Sequence, residues 1–162
     1  MTDVRIGVVS DTHNNLANVR RIVEILNAAG VERVVHTGDV TQAKTLRLLA
    51  DLCVPLVGVY GNNDEREPLA EVAAEAGFEM VEPPLVLDWS GRRILVVHDP
   101  LDVDRWWSGH DVVLHGHDHR RRIQRDVERL VFNPGESAGH LEGHNAVGIV
   151  DLASLATEIV LF

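Results

Sequence analysis

Apolar positions along the chain fall in short runs, and the spacing between them changes half-way. Val4 to Val9 is a mostly apolar run of strand length, followed by Leu16, Val19, Val23 and Leu26 at the three- and four-residue intervals of a helix that Gly30 stops. Val34 and Val35 mark a second strand, and Asp39 or Thr41 is placed to cap a helix carrying Leu46, Leu49 and Leu52. Leu56 to Val59 marks a third strand. Pro68 suits the first turn of a helix through Leu69, Val72, Ala73 and Ala76, which Gly77 ends. Strands alternating with helices predict parallel pairing through crossover connections.

After Pro83 and Pro84 the helical periodicity fades. Leu85 to Leu87, Ile94 to His98, Val112 to Leu114, Arg121 to Arg125, Arg129 to Phe132, Val147 to Leu152 and Ile159 to Phe162 read as strands, with one short helix around Asp102 to Trp107. The expected object is an α/β fold of two packed sheets with helices outside.

Size and charge narrow this further. With 162 residues and 45% hydrophobic positions, the chain suits one core, so residues 1–162 are expected to form a single domain. No apolar run approaches the ~18 residues of a membrane span, and the N-terminus enters a strand without a signal-type basic region. The lone Cys53 has no internal disulfide partner and is expected to act as a small core hydrophobe, in keeping with a cytoplasmic protein. A formal charge of -10 disfavours anionic membrane and nucleic-acid backbone as partners. The basic cluster Arg120, Arg121, Arg122 and Arg125 reads as a solvated face.

The apolar runs share one feature: each gives way to metal-ligating residue types. Asp11 and His13 follow the first strand, Asp39 the second, and Asn62, Asn63 and Asp64 the third, while His98 and then His115, His117 and His119 follow later ones. Carboxyl ends of parallel strands are where ligands bind. Alone, each cluster would read as a cap, a turn or a core histidine; their repetition favours a common site. Oxygen and imidazole donors without thiolate argue against a zinc knuckle or iron–sulfur centre. So many ligands exceed one tetrahedral ion and suit two ions sharing a carboxylate, an arrangement used for phosphate-ester hydrolysis.

Taken together, DTH at Asp11 to His13, GD at Gly38 and Asp39, GNND at Gly61 to Asp64, His98, GHDH at Gly116 to His119 and NPGE at Asn133 to Glu136 resemble the calcineurin-like metallophosphoesterases. The similarity is to their small single-domain bacterial and archaeal phosphodiesterase branch, to which the retromer's phosphoesterase-like subunit is also similar. The resemblance implies a four-layer αββα sandwich of two mixed sheets. It places Asp11, His13 and His119 on one ion, Asn62, His98 and His117 on a second, and Asp39 between them. It further implies hydrolysis by a hydroxide held between the ions, usually manganese, with nickel, zinc, iron or magnesium as alternatives. Small phosphodiesters or activated aryl phosphates are the expected substrates, and homo-oligomerisation is left open. The other reading is a weakly active or inactive protein-binding scaffold of the retromer-subunit type.

Three positions depart from the family pattern. Asn63 stands where relatives carry histidine or cysteine; it can donate a hydrogen bond but no proton, which leaves Asp64, His119 or metal-held water to protonate a leaving group. Asp99 stands where glycine commonly follows the metal histidine, and either repels an anionic substrate or points away. Glu136 replaces a serine, so a hydroxyl contact is lost. His36 and His115 are expected to orient ligands or pack. His110, His140 and His144 are expected to be solvated. Trp89, Trp106 and Trp107 are expected at the core or its edge, with a cleft wall as the alternative.

Overall fold

A computed structural model describes residues 4–106 and 109–162, apart from the Asp104 side chain. Six strands form the first sheet: β1 (Arg5–Val9), β2 (Arg33–His36), β3 (Leu56–Val59), β4 (Glu79–Val81), β10 (Ala146–Asp151) and β11 (Thr157–Leu161), in the order β11-β10-β1-β2-β3-β4. β1 to β4 pair in parallel, and β10 lies antiparallel to both β1 and β11. The second sheet contains β5 (Leu85–Trp89), β6 (Arg92–Val96), β7 (Val112–Leu114), β8 (Arg122–Arg125) and β9 (Leu130–Asn133), in the order β5-β6-β7-β9-β8. Its centre, β6-β7-β9, is parallel and its edges are antiparallel. Both sheets are therefore mixed.

Alternation along the strands builds the layers, because successive side chains leave a strand on opposite faces. Val9 and Val34 face a core shared with helices α1 (Leu16–Ala29), α2 (Ala43–Leu49) and α3 (Arg66–Ala76). Ile6, Val8 and Val35 face the other way and meet Ile94, Val96, Leu114 and Phe132 between the sheets. On the far side of the second sheet, Leu95, Val97, Val113 and Val131 pack with Val103 of helix α4 (Leu101–Trp106). The order is helices, sheet, sheet, helix, as the αββα expectation requires.

Gly30 and Gly77 close α1 and α3 in the left-handed conformation, where the periodicity stops. Other details differ from the sequence reading. Neither Asp39 nor Thr41 caps α2: Gln42 holds that position, and its N–H donates to Asn14 Oδ1 at 3.1 Å, so a neighbouring loop supplies the acceptor. Leu52 lies beyond the end of α2, although it is buried. β4 was not anticipated, being a three-residue edge strand. Cys53 is exposed, contrary to a core role: it follows α2 on the surface, where its N–H bonds Asn27 Oδ1 at 2.8 Å. Trp89 packs at the margin of the inter-sheet core beneath the Arg33 guanidinium, as edge packing predicts. Trp106 is exposed on α4, contrary to core or edge packing, and Trp107 lies outside the described residues. Among the described residues no helix is long and apolar enough to cross a membrane.

Candidate metal centre

The loops that leave β1, β2, β3, β6 and β7 meet at one edge of the sandwich, held by backbone bonds between them. Asp11 N–H donates to Gly38 O at 3.1 Å, His13 N–H to Asp39 O at 3.0 Å, and Gly116 N–H to His98 O at 3.0 Å. His117 N–H crosses between the sheets to Asp11 Oδ2 at 3.0 Å. A Cβ at Gly116 would overlap Ser10 Oγ, and one at Gly61 would overlap Asp39 Oδ1, so both positions require glycine for loop approach. Asp11, His13, Asp39, His117 and His119 all hold φ between 44° and 75°. Such left-handed geometry is uncommon outside glycine and is retained where surrounding structure over-determines it, often at functional sites.

The side chains converge in two groups. In the first, His13 Nε2 and His119 Nε2 each lie 3.7 Å from Asp11 Oδ1. In the second, His98 Nε2 lies 3.0 Å from Asn62 Oδ1 and 3.2 Å from His117 Nδ1. Asp39 Oδ2 stands between them, 3.1 Å from His13 Nε2 and 3.5 Å from His98 Nε2. Donor atoms about 2.1 Å from a common ion stand roughly 3.0–3.6 Å apart, close to this spacing.

The hydrogen bonds on the far side of each group show what the inner atoms lack. Asp11 Oδ2 accepts from Ser10 Oγ and His117 N, while Asp11 Oδ1 is buried without a hydrogen-bond partner. His13 Nε2 is also buried and unpartnered, its approach to Asp39 being short but out of line. His98 directs Nδ1 to the Thr37 carbonyl at 2.9 Å, so that nitrogen carries the proton; a neutral His98 then aims a lone pair at Asn62 Oδ1. Acceptors facing acceptors call for a cation. The residues present therefore fit divalent metal, with mixed carboxylate, amide and imidazole donors.

Electrostatics agree. The carboxylates of Asp11 and Asp39 beside His13 raise its pKa to about 9. Burial pushes the Asp39 carboxyl up, but His13, His98 and the Asn63 N–H outweigh it and hold the pKa well below the ordinary value. For His98, burial lowers the pKa and Asp39 raises it further in the opposite direction, leaving a net increase. The site demands positive charge, which protons supply when no metal does.

His36 lies directly behind this arrangement and is fully buried. Its Nδ1 accepts from Gly38 N–H at 3.0 Å, leaving Nε2 to donate to Thr12 Oγ1 at 3.2 Å. Burial lowers its pKa to about 4 from 6.5. Below pH 6.5 the unfolded chain takes up a proton that the folded chain refuses. This contribution to stability is thus present above the unfolded value and is lost as pH falls towards 4, by on the order of 3 kcal/mol. Denaturant unfolding of the chelator-treated protein from pH 7 to 4 should show a steeper loss in the parent than in His36→Gln; equal slopes would contradict the assignment.

The remaining sequence candidates are distributed as follows. Asn63 donates to Asp39 through both N (3.0 Å to Oδ1) and Nδ2 (2.9 Å to Oδ2). Asp64 is buried and turned to the backbone, accepting N–H bonds from Gly61, Asp39 and Thr41. His115 is buried beside Gly116, and burial lowers its pKa. Asp99 Oδ1 accepts from Leu101 N–H at 2.9 Å, with Oδ2 3.9 Å from His117 Nε2. It therefore sits at the margin of the centre and does not point away from it. His110 is only partly exposed, its Nδ1 buried and unpartnered, so it is not simply solvated; His144 is exposed.

Two residues named in the sequence without a role at the centre lie beside His119. His140 is exposed, yet its ring stacks on His119 at 5.2 Å and approaches His13 at 5.3 Å. Glu136 is fully buried and lies 3.1 Å from His119 Nδ1. Its replacement of serine is visible in the sequence, but the consequence is a gained carboxylate as well as a lost hydroxyl.

With the geometry in place, comparison with known sequences is decisive. The calcineurin-like phosphoesterase superfamily domain matches residues 4–155. This chain belongs to that superfamily. A phosphodiesterase of Methanocaldococcus jannaschii is 32% identical over 154 residues, covering 91% of this chain and 93% of that protein. Among solved structures, an archaeal phosphodiesterase superposes with a TM-score of 0.89 at 30% identity, over 98% of this chain and 100% of that one. A single mutant of Vps29 from Entamoeba histolytica gives a TM-score of 0.71 at 17% identity, over 98% and 99% of the two chains. That last likeness concerns the fold alone.

Proposed function

We propose that this chain hydrolyses phosphate esters with two divalent ions, and that small phosphodiesters or activated aryl phosphates are its substrates. The observation that carries this is Asp39 Oδ2 standing between two groups of buried or inward-facing acceptors. Asp11, His13 and His119 would hold one ion and Asn62, His98 and His117 the other, with Asp39 common to both. Bound ions supply Lewis acidity and a water acidic enough to attack phosphorus near neutral pH. The loops orient the ligands, and Asn63 holds the shared carboxylate from the exposed side.

Asp64 is better suited to positioning than to proton donation, because both its oxygens accept backbone N–H groups. His119 is likewise assigned to the metal alone. Manganese, the usual ion of the family that the chain resembles, is the favoured one; the mixed carboxylate, amide and imidazole donors suit nickel, zinc, iron or magnesium as well and do not by themselves choose. The acidic charge of -10 favours small substrates over nucleic acid. A single exposed thiol, Cys53, is compatible with the cytoplasm.

Turnover of bis-aryl phosphates, mono-aryl phosphates, cyclic nucleotides and single-stranded DNA with added manganese tests this reading. Diester hydrolysis that a chelator abolishes and manganese restores is expected. Silence across the panel would favour the scaffold reading, and preference for long DNA would overturn the substrate assignment.

Asn63→His addresses the leaving group. A histidine here supplies the proton that the amide lacks, and an alkoxide needs it more than an aryloxide does. Acid catalysis contributes roughly 10²–10⁴-fold where it is needed. The ratio of alkyl to aryl rates should rise at least about tenfold in a variant that keeps both ions. An unchanged ratio would remove the missing-acid argument.

A further inference from the structure

Resting on the metal-centre reading above, we propose that Glu136 is a positioning residue that fixes His119 with Nδ1 protonated and Nε2 turned towards the first ion. Glu136 Oε2 lies 3.1 Å from His119 Nδ1, and the carboxylate is fully buried. A buried carboxylate needs donors, and this one has three: His119 Nδ1–H, His140 N–H at 3.3 Å to the same oxygen, and Leu141 N–H to Oε1. His119 Nε2 then faces Asp11 Oδ1 as a bare lone pair. A hydrogen bond from the distal nitrogen to a carboxylate sets the tautomer of a metal-bound histidine, limits its rotation and raises its basicity.

Among the described residues, His117 has no equivalent carboxylate within hydrogen-bond reach. Asp99 is partly exposed and 3.9 Å from His117 Nε2, beyond hydrogen-bond reach. Glu136 thus acts on one ion and not symmetrically on both. The same carboxylate also anchors the backbone of the loop that lays His140 over His119.

A third ion among His119, Glu136 and His140, whose donor atoms do approach one another, is the less economical reading. It would require His119 Nδ1 to give up its proton while Nε2 binds the first ion. It would also compete with the His140 N–H for Glu136 Oε2.

Long-range proton–nitrogen spectra of the zinc-loaded protein should show His119 protonated at Nδ1. Calorimetric titration of the chelator-treated protein should show one ion bound 10–100-fold more weakly in Glu136→Gln, the usual loss for such a partner, with the other within about threefold. In a His119→Ala background, Glu136→Gln should change metal affinity by less than about threefold, because its effect passes through His119. A proton on Nε2, equal weakening of both ions, or the full loss persisting without His119 would overturn the proposal. Should Glu136→Gln not fold, the spectrum of the unaltered protein decides alone. A parent that binds no divalent ion would instead overturn the metal-centre reading, and the metal-free spectrum would still report whether His119 Nδ1 donates to Glu136.

Discussion

Asp39→Asn is expected to lower turnover by on the order of 10³-fold and to cost the protein one of its two ions. That factor is the upper end of what removing a single preorganised electrostatic contact produces, and corresponds to about 4 kcal/mol. Asp39 Oδ2 faces both His13 Nε2 and His98 Nε2, while Oδ1 and Oδ2 also accept from Asn63. An amide offers only one acceptor atom. Its NH2 must confront either the Asn63 donors or an ion, so the substitution both removes charge and misplaces a hydrogen-bond donor. Asp99→Asn, by contrast, leaves the Oδ1 bond to Leu101 N–H available and should change turnover less than about threefold. Metal content and kcat measured on both variants give the comparison. Two ions retained with unchanged affinity in Asp39→Asn would refute the bridging role.

The candidate metal ligands were legible because the parallel strands within each mixed sheet bring successive strand ends to one edge. Asp11, Asp39, Asn62, His98 and His117 each lie within a few residues of a short apolar run, so strand order and residue type together located them. What sequence could not show was contact between loops. Glu136 and His140 reach His119 from the segment after β9, and nothing in local spacing distinguishes that placement from solvent exposure. Asn14 likewise serves the N-terminus of α2 across 28 positions, where a local cap was expected. Cys53 misled because burial follows surroundings more than residue type: Leu52 beside it is buried and Cys53 is not.

Loop contact also governs the role of Asp64, and Asp64→Ala should destabilise the metal-free fold by about 3 kcal/mol or more, since it leaves buried backbone donors without an acceptor. Burial pushes this carboxyl up, while N–H donors from Gly61 and Thr41 pull it down; the net shift is upward. Gly61 and Thr41 lie 2.6 Å from its two oxygens and Asp39 N lies 3.1 Å from Oδ2, so alanine would leave three N–H groups without their acceptor. Each orphaned buried donor costs roughly 1–3 kcal/mol, less where water can enter. Asp64→Asn preserves shape but must turn an NH2 towards one of the N–H groups, so it should fall between alanine and the parent. The three bonded groups flank Asp39 and Asn62, so metal affinity should fall along with stability. A proton donor would behave differently: its loss would depress alkyl-ester turnover while leaving the metal-free unfolding midpoint in place. Chemical denaturation in chelator, paired with alkyl and aryl turnover after manganese is restored, separates the two, and an unshifted midpoint with a selective alkyl defect would return Asp64 to the acid role.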